Sequence, residues 1–486
     1  MLTFLDKRDK ISHEISGDVS MKVDSRANKR SAQLITTLGS FIVPFMGSSV
    51  NIALPSIGKE FAMNAVLLSW VTTSYVLTVA VFQVPSGRIA DIYGRKRIFL
   101  CGFITYTFFS ILCAICTHPF LFIAFRVIQA VGASMTFSVG VAILMSIFPV
   151  EERGKVLGIN VAAVYSGHSF GPVLGGLLTH SFGWRVIFWI NIPIGLLIIF
   201  YTIWRLKGEW TEAKGESFDL FGSVLYGATL VAIIYGFSKL PGARGFSLLF
   251  LGVVFFLSFL KWEVRSKTPI FHIDLIRKNR VFAFSNLAAL INYSASSAIG
   301  FLLSLYLQFI KGLNPQEAGV IMMSQPIMQA IFSPFAGRLS DRIDPRIVAS
   351  TGMALTAIGL LFFIFLSETT TFGFIVANLI LIGFGFALFS SPNTNAVMSS
   401  VEKRYYGVAS GTLGTMRATG MMFSMGIVML IFSLTLGRTQ ITPSYYPLFI
   451  KSLQTAFTVY TFLCLAAIVA SLARGRVRSE KDVMKG

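Results

Sequence analysis

Charged residues make up only 13% of this chain, about half of the roughly 25% that a water-soluble domain carries. A soluble globular protein is therefore excluded. The acidic residues that exist, 22 Asp and Glu, fall in polar connections or at the ends of apolar runs and never in the middle of one. Cysteine is scarce: Cys101, Cys113, Cys116 and Cys464 all sit inside apolar runs. Cys113-x-x-Cys116 has no second pair and no strand context, which reads as packing and implies neither a disulfide framework nor a metal site. No phosphate-binding loop is present, so direct drive by ATP is excluded. No Ser-His-Asp order and no metal-ligand spacing occurs, so neither an enzyme, a metal nor another cofactor is expected.

Apolar length is what the chain has in excess. Hydrophobic residues reach 54%, with 46 Phe and a mean hydropathy of +0.71. Windows of about 20 apolar residues match the hydrocarbon thickness of a bilayer. They predict fourteen spans, near 33–55, 66–87, 98–117, 120–148, 155–179, 185–204, 219–239, 246–262, 282–310, 316–337, 347–367, 371–399, 406–434 and 447–472. Residues 1–31 are polar, without the apolar core of a cleavable signal peptide; the first span is expected to direct insertion.

The net charge of +19 raises the question of nucleic acid, and its distribution answers it. Of the 41 Lys and Arg, 32 fall on the side of the N-terminus, 7 on the other side and two, Arg126 and Arg417, within spans. That asymmetry is the positive-inside signature. It predicts a multi-pass protein of the cell membrane with both termini cytoplasmic. Arg474, Arg476 and Arg478 then read as topology signals and contacts to anionic lipid, and nucleic acid is not an expected partner.

A charged segment occurs twice. Gly87-Arg88-Ile89-Ala90-Asp91-Ile92-Tyr93-Gly94-Arg95-Lys96-Arg97 returns 250 positions later as Gly337-Arg338-Leu339-Ser340-Asp341-Arg342. Each copy follows an apolar run holding a proline, Pro85 or Pro334. Glu151-Glu152-Arg153 and Glu402-Lys403-Arg404 repeat at nearly the same offset. The chain therefore reads as two halves of six spans with an inserted pair. The expected segments are a tail 1–31, a bundle 32–208, the inserted pair with its loops 209–280, a bundle 281–472 and a basic tail 473–486. Pseudo-symmetric halves able to rock about a central site are the construction of a secondary transporter.

Four segments carry a resemblance to a known family. They are Gly87-x-x-x-Asp91-x-x-Gly94-Arg95-Lys96-Arg97, Arg126-Val127-Ile128-Gln129-Ala130-Val131-Gly132-Ala133, Gly167-x-x-x-Gly171-Pro172-Val173-Leu174-Gly175-Gly176 and Asn51-Ile52-Ala53-Leu54-Pro55. Trp70, Tyr75 and Asn314-Pro315-Gln316-Glu317-Ala318-Gly319 add looser likeness. On these the sequence resembles the major facilitator superfamily, and within it the fourteen-helix drug:proton antiporter branch. The resemblance implies an all-helical fold of two six-helix bundles plus an inserted pair, and proton-coupled efflux of small molecules. It departs from the branch at Met46, where an Asp is usual five residues before the Asn of the first-span motif.

The residues also have readings of their own. Gly87, Asp91, Gly94 and Arg95, with Gly337, Arg338 and Asp341 in the second copy, are candidates for a gate: a carboxylate there can meet arginines or the positive end of a neighbouring helix. Plain topology determination by the basic residues is the alternative. Gly167, Gly171 and Gly175 recur every fourth residue, so they line one helix face for close packing. With Pro172 and Gly176 they are the candidate hinge. Arg126 and Arg417 lie at membrane depth, where charge marks a pathway or a partner; headgroup snorkelling is the alternative for Arg126. His168 can titrate near neutrality, and Arg126, His168, Glu317 and Arg417 are the coupling candidates. Asn51, Tyr75, Gln129, Asn292, Tyr293, Gln308 and Asn393 are candidates for substrate contact, with Asn395 beside them; interhelical hydrogen bonding is the competing role for each. An adaptable pocket rich in Phe and Met fits amphiphilic compounds. The expected partners are a small-molecule substrate, protons and membrane lipid, with the protein a monomer. A metabolite facilitator indifferent to protons and a transporter-like receptor remain open.

Overall fold

The computed structural model describes residues 2–266, 273–340, 342–401, 406–437 and 439–475. Asp341, the Glu402–Arg404 segment, Arg476 and Arg478 lie outside them. Among the described residues every regular element is a helix. In order these are α1 (Leu2–Glu60), α2 (Ala65–Tyr93), α3 (Arg95–Ile115), α4 (Pro119–Ile147), α5 (Val150–Phe182), α6 (Arg185–Trp189), α7 (Asn191–Trp204), α8 (Leu220–Phe237) and α9 (Ala243–Glu263). They continue with α10 (Ile273–Lys278), α11 (Arg280–Ser296), α12 (Ile299–Leu305, closed by a π turn Tyr306–Ile310), α13 (Pro315–Met322), α14 (Ser324–Ser340), α15 (Pro345–Phe363), α16 (Phe372–Ser399), α17 (Tyr406–Thr435) and α18 (Tyr446–Ala473).

Twelve helical stretches among the described residues are long and apolar enough to cross a membrane. α5 and the broken pair α13–α14 occupy the fifth and tenth of the expected places. The helices do not all coincide with the apolar windows. α6 and α7 share one span, and the ninth is broken between α11 and α12 at residues 297–298 and ends in the π turn. The tenth is broken at Met323, three residues before Pro326. Such interruptions are tolerated in membrane proteins where neighbouring helices satisfy the freed groups.

The duplication is visible in the packing. α1 lies on α5, α3 on α4 and on α7, and α2 on α4; α11 lies on α17, α15 on α16 and on α18, and α14 on α16. The fold is that of two pseudo-symmetric six-helix bundles with a helix pair between them. That pair, α8 and α9, packs on itself and seats α8 against both α2 and α17. Leu77 and Ala80 of α2, Tyr226, Leu230 and Ile234 of α8, and Ala418 and Met422 of α17 form one buried cluster there. Since apolar burial drives nothing in lipid, close contact rests on small residues and hydrogen bonds; the Tyr226 hydroxyl donates to the Ala80 carbonyl at 3.3 Å and lies 3.3 Å from Thr419.

A candidate transport pathway between the halves

The two ends of the bundle pair are built differently. At the end away from Gly94, backbone and side chains of both halves interlock. Pro55 has no N–H to give the carbonyl four residues back, so the Asn51 carbonyl of α1 is left free. Ser304 of α12 donates to it at 2.6 Å, and Gln308 donates to the Ile52 carbonyl at 2.9 Å. The Ala65 N–H bonds the Thr439 carbonyl at 3.0 Å, and Gln440 donates to the Ala62 carbonyl at 3.0 Å. Asn51 and Gln308, expected at a substrate, thus help to close this end.

The glycine repeat of α5 divides between two jobs. A methyl group on Gly167 would collide with the Phe41 carbonyl, and one on Gly171 or Gly175 with Ser48 or Ser49. This face is pressed against α1 of its own half, and Ser49 donates to the Gly171 carbonyl at 2.9 Å. Gly176 instead faces the Pro315 carbonyl of α13, while Gly319 of α13 faces the Pro172 carbonyl. The Pro172–Gly176 end of α5 therefore touches the second half, backbone against backbone. Glu317 caps α13: Asn314 accepts from the Glu317 N–H at 2.9 Å and the Glu317 carboxylate accepts from the Asn314 N–H at 3.0 Å.

At the Gly94 end, no hydrogen bond or ion pair joins described residues of the two halves. A methyl on Gly158 of α5 or Gly411 of α17 would meet no atom within 4 Å. Gly94 ends α2 with φ +118°, a conformation that favours glycine. The turn aims Arg95 inward, 6% exposed, where it pairs with Asp91 at 2.8 Å and Glu212 at 2.7 Å and donates to the Ala142 carbonyl and Ser146. The segment after α7 straps this loop. The Arg95 N–H bonds the Trp210 carbonyl, the Ala213 N–H bonds the Asp91 carbonyl, Glu209 accepts from the Lys96 N–H, and Arg88 pairs with Glu216 at 2.6 Å. Every one of these partners belongs to the first half or its following connection. In the second copy, Gly337 lies against Ser391, and Arg338 is exposed.

Between the two ends, the halves meet at polar groups. Tyr165 of α5 lies 3.0 Å from the Ser390 hydroxyl of α16. Arg417 of α17 donates to Thr394 at 2.6 Å, with its guanidinium carbon 5.7 Å from the Tyr293 ring centroid. On α16 the two contacts are one turn apart, with Thr394 donating to the Ser390 carbonyl at 2.7 Å. Tyr293 in turn meets Phe386 edge-on, centroids 5.2 Å apart. Tyr165, Ser390 and Thr394 were not singled out from the sequence. The available signal was a phenol three residues before His168 and hydroxyls two residues either side of Pro392 in otherwise apolar helices. His168 itself makes no hydrogen bond or ion pair among the described residues.

Other candidates are held inside single halves. Arg126 is 1% exposed, so it does not snorkel. It lies between the rings of Tyr75 and Phe188, at 4.2 and 5.8 Å, and donates to Gln129, which donates to Ser110. Met46, at the place of the branch's usual Asp, accepts from Asn191 at 3.0 Å; aromatic faces stand where a carboxylate would neutralise the cation. Asn292 is fully buried beside Cys464. Asn393 donates to the Ser285 carbonyl and accepts from Arg474, and Asn395 donates to Ser340. Arg474, expected as a headgroup contact in a basic tail, is only 1% exposed because α18 ends with it pointing between α11 and α16.

The Major Facilitator Superfamily model matches residues 36–273 and 286–484. The chain belongs to the major facilitator superfamily. It is a multi-pass membrane transporter and not an enzyme. Within the superfamily it is similar to the riboflavin transporter RibZ of Clostridioides difficile (strain 630), 30% identical over 441 residues, covering 90% of this chain and 96% of that protein. It is also similar to the multidrug resistance protein Stp of Mycobacterium tuberculosis (strain CDC 1551 / Oshkosh), 31% identical over 393 residues, 80% of this chain and 73% of that one. A probable actinorhodin transporter of Streptomyces coelicolor (strain ATCC BAA-471 / A3(2) / M145) is 26% identical, with 83% and 72% covered. Among solved structures, a peptide transporter POT mutant in complex with sulfate superposes with a TM-score of 0.68 at 13% identity, covering 93% of this chain and 96% of that one. A bacterial homologue of the human lysosomal transporter Spinster, in an inward-facing and unoccupied conformation, gives 0.64 at 14% identity, with 93% and 97% covered.

Proposed function

We propose that this chain is a secondary transporter that exports amphiphilic drugs or similar organic small molecules by alternating access, with proton exchange as its energy source. The observation that carries the reading is the unequal closure of the two ends: interlocked at Ser304–Asn51 and Gly176–Pro315, and without a hydrogen bond or ion pair between described residues of the two halves at Gly94. With the basic loops placed in the cytoplasm by charge asymmetry, the open end faces inward, ready to load from the cell. Rocking would open the outer interlock and bring the charged loops together. On this reading Asp91 and Arg95 are latch residues that turn from the 209–216 strap to the second half when the inner end closes. The Pro172–Gly176 end of α5 is the hinge contact. The names of the multidrug and actinorhodin relatives support an exporter.

A second reading has its own observation. Among the described residues no carboxylate stands at membrane depth, where proton-coupled exchange ordinarily uses one raised by desolvation. A metabolite facilitator, uncoupled to protons, is favoured by that absence and by the name of the riboflavin relative. Of the coupling candidates, Glu317 serves as a helix cap and Arg126 faces aromatic rings, which leaves His168 and Arg417, with Asp91 as a further carboxylate. Purified protein in sealed vesicles separates the two readings under an imposed pH gradient. Export predicts dye accumulation against its own gradient with matching proton flow. Dye moving only downhill, whatever the pH gradient, contradicts coupling and establishes the facilitator.

A further inference from the structure

The two membrane-depth guanidiniums each bond through one nitrogen and leave a buried Nε without a partner; they differ in burial and in place, and that difference points to a ligand at Arg417. Arg126 is shut away, its charge spread over Tyr75 and Phe188. Arg417 lies half-buried beside the contact between the halves, bonded by one nitrogen to Thr394. Its Nε, like that of Arg126, has no hydrogen-bond partner, but only Arg417 stands half-buried at the contact between the halves, where a ligand can reach the guanidinium. A guanidinium has five donors and no acceptor, so unused donors there call for oxygen acceptors that the protein does not provide. Around it stand flat aromatic faces: Tyr293 under the guanidinium, Phe386 edge-on to Tyr293, and Tyr165 arriving from the other half. Ser390 and Thr394 add two hydroxyls on the α16 side.

We infer that Arg417, Tyr293, Tyr165, Ser390 and Thr394 form the substrate site. The inference rests on the transport reading above. The class it takes is planar aromatic compounds edged by conjugated carbonyl or phenolate oxygens. The ring stacks on Tyr293 and the oxygen edge accepts from the free donors of Arg417, which makes Arg417 a recognition residue and not a coupling one. Planar cations are disfavoured, because the site offers a positive charge and no carboxylate. Tyr165 and Ser390 now bond across the two halves; an entering oxygen edge competes for both hydroxyls, so that docking loosens a contact that must break for the halves to rock.

The test is equilibrium binding to the purified full chain in lipid nanodiscs, read by fluorescence anisotropy. Resorufin is the planar oxygen-edged anion and ethidium the planar cation. Resorufin is expected to bind about tenfold or more tighter than ethidium, and Arg417→Gln to weaken it by about tenfold, the scale of one charge-assisted hydrogen bond in a dry site. Tyr293→Ala is expected to weaken both dyes, since both stack. Equal affinity for the two dyes overturns the class; resorufin affinity indifferent to Arg417→Gln overturns the site. Should that variant fail to fold, Thr394→Val removes only the hydroxyl that orients the guanidinium, and about threefold weaker resorufin binding is expected; unchanged binding overturns the site equally. Dye flux in vesicles reads the other claim. Arg417-dependent binding with no movement of any dye would sink transport and leave the site, and dye flux with Arg417-independent binding would do the reverse.

Discussion

Arg126 shows how a single residue can be expensive and still be retained. Taking a guanidinium out of water costs several kcal/mol even after relaxation. Two aromatic faces return about 2 kcal/mol or more when desolvated, and the bond to Gln129 about 1.5–3 kcal/mol. The sum lies near balance. Arg126→Met is accordingly expected to leave unfolding stability in detergent within about 2 kcal/mol of the parent, because removing the charge also removes its desolvation cost. Flux should fall by about tenfold or more, as for a charge kept at membrane depth for function. A large loss of stability would mean that Arg126 holds the first half together. At this scale the sequence was legible only in part. Arginine in an apolar run announced an unusual position, but its aromatic partners come from α2 and α6, separated by over a hundred residues. Asn292 and Asn393 show the opposite outcome: amides in spans, each turned to a neighbouring helix.

Helix α5 is the element on which local pattern and long-range contact both act. Its four-residue glycine spacing made a flat face legible, and Gly167, Gly171 and Gly175 do press that face on α1. The pattern could not say that Gly176, one residue on and so rotated off the stripe, meets the other half at Pro315. Any side chain there must push α13 away. Gly176→Val is therefore expected to loosen the outer interlock. Labelling of a cysteine placed at Gln308 by an impermeant maleimide added outside should rise several-fold, since small-residue contacts are what let the backbones touch. Unchanged labelling would contradict a contact that gates. The strap over the charged loop is likewise invisible along the chain: Glu209, Glu212 and Glu216 lie more than a hundred residues from Lys96, Arg95 and Arg88. Only the presence of charge in both segments hinted at a pairing. Pro55 is the reverse case. A helix proline implies a free carbonyl four residues back, and that carbonyl is where Ser304 binds.

For the whole molecule, the sequence duplication carried the architecture. Six spans, a pair and six spans follow from apolar length and from the repeated Gly-Arg-x-x-Asp loop, and the two halves repeat the same helix neighbours. The state of the molecule was not legible, because which end is interlocked depends on contacts between halves that periodicity does not encode. Spin labels in a variant lacking the four native cysteines test the account most directly. One pair replaces Gly158 and Gly411 at the unjoined end, the other Ala62 and Gln440 at the interlocked end. Electron–electron resonance then gives both distances in nanodiscs, with and without a transported dye. Alternating access predicts reciprocal change: a population in which the Gly158–Gly411 distance shortens while the Ala62–Gln440 distance lengthens, its share altered by the dye. Two distances that stay fixed, or that lengthen and shorten together, would contradict a transporter that rocks about a central site.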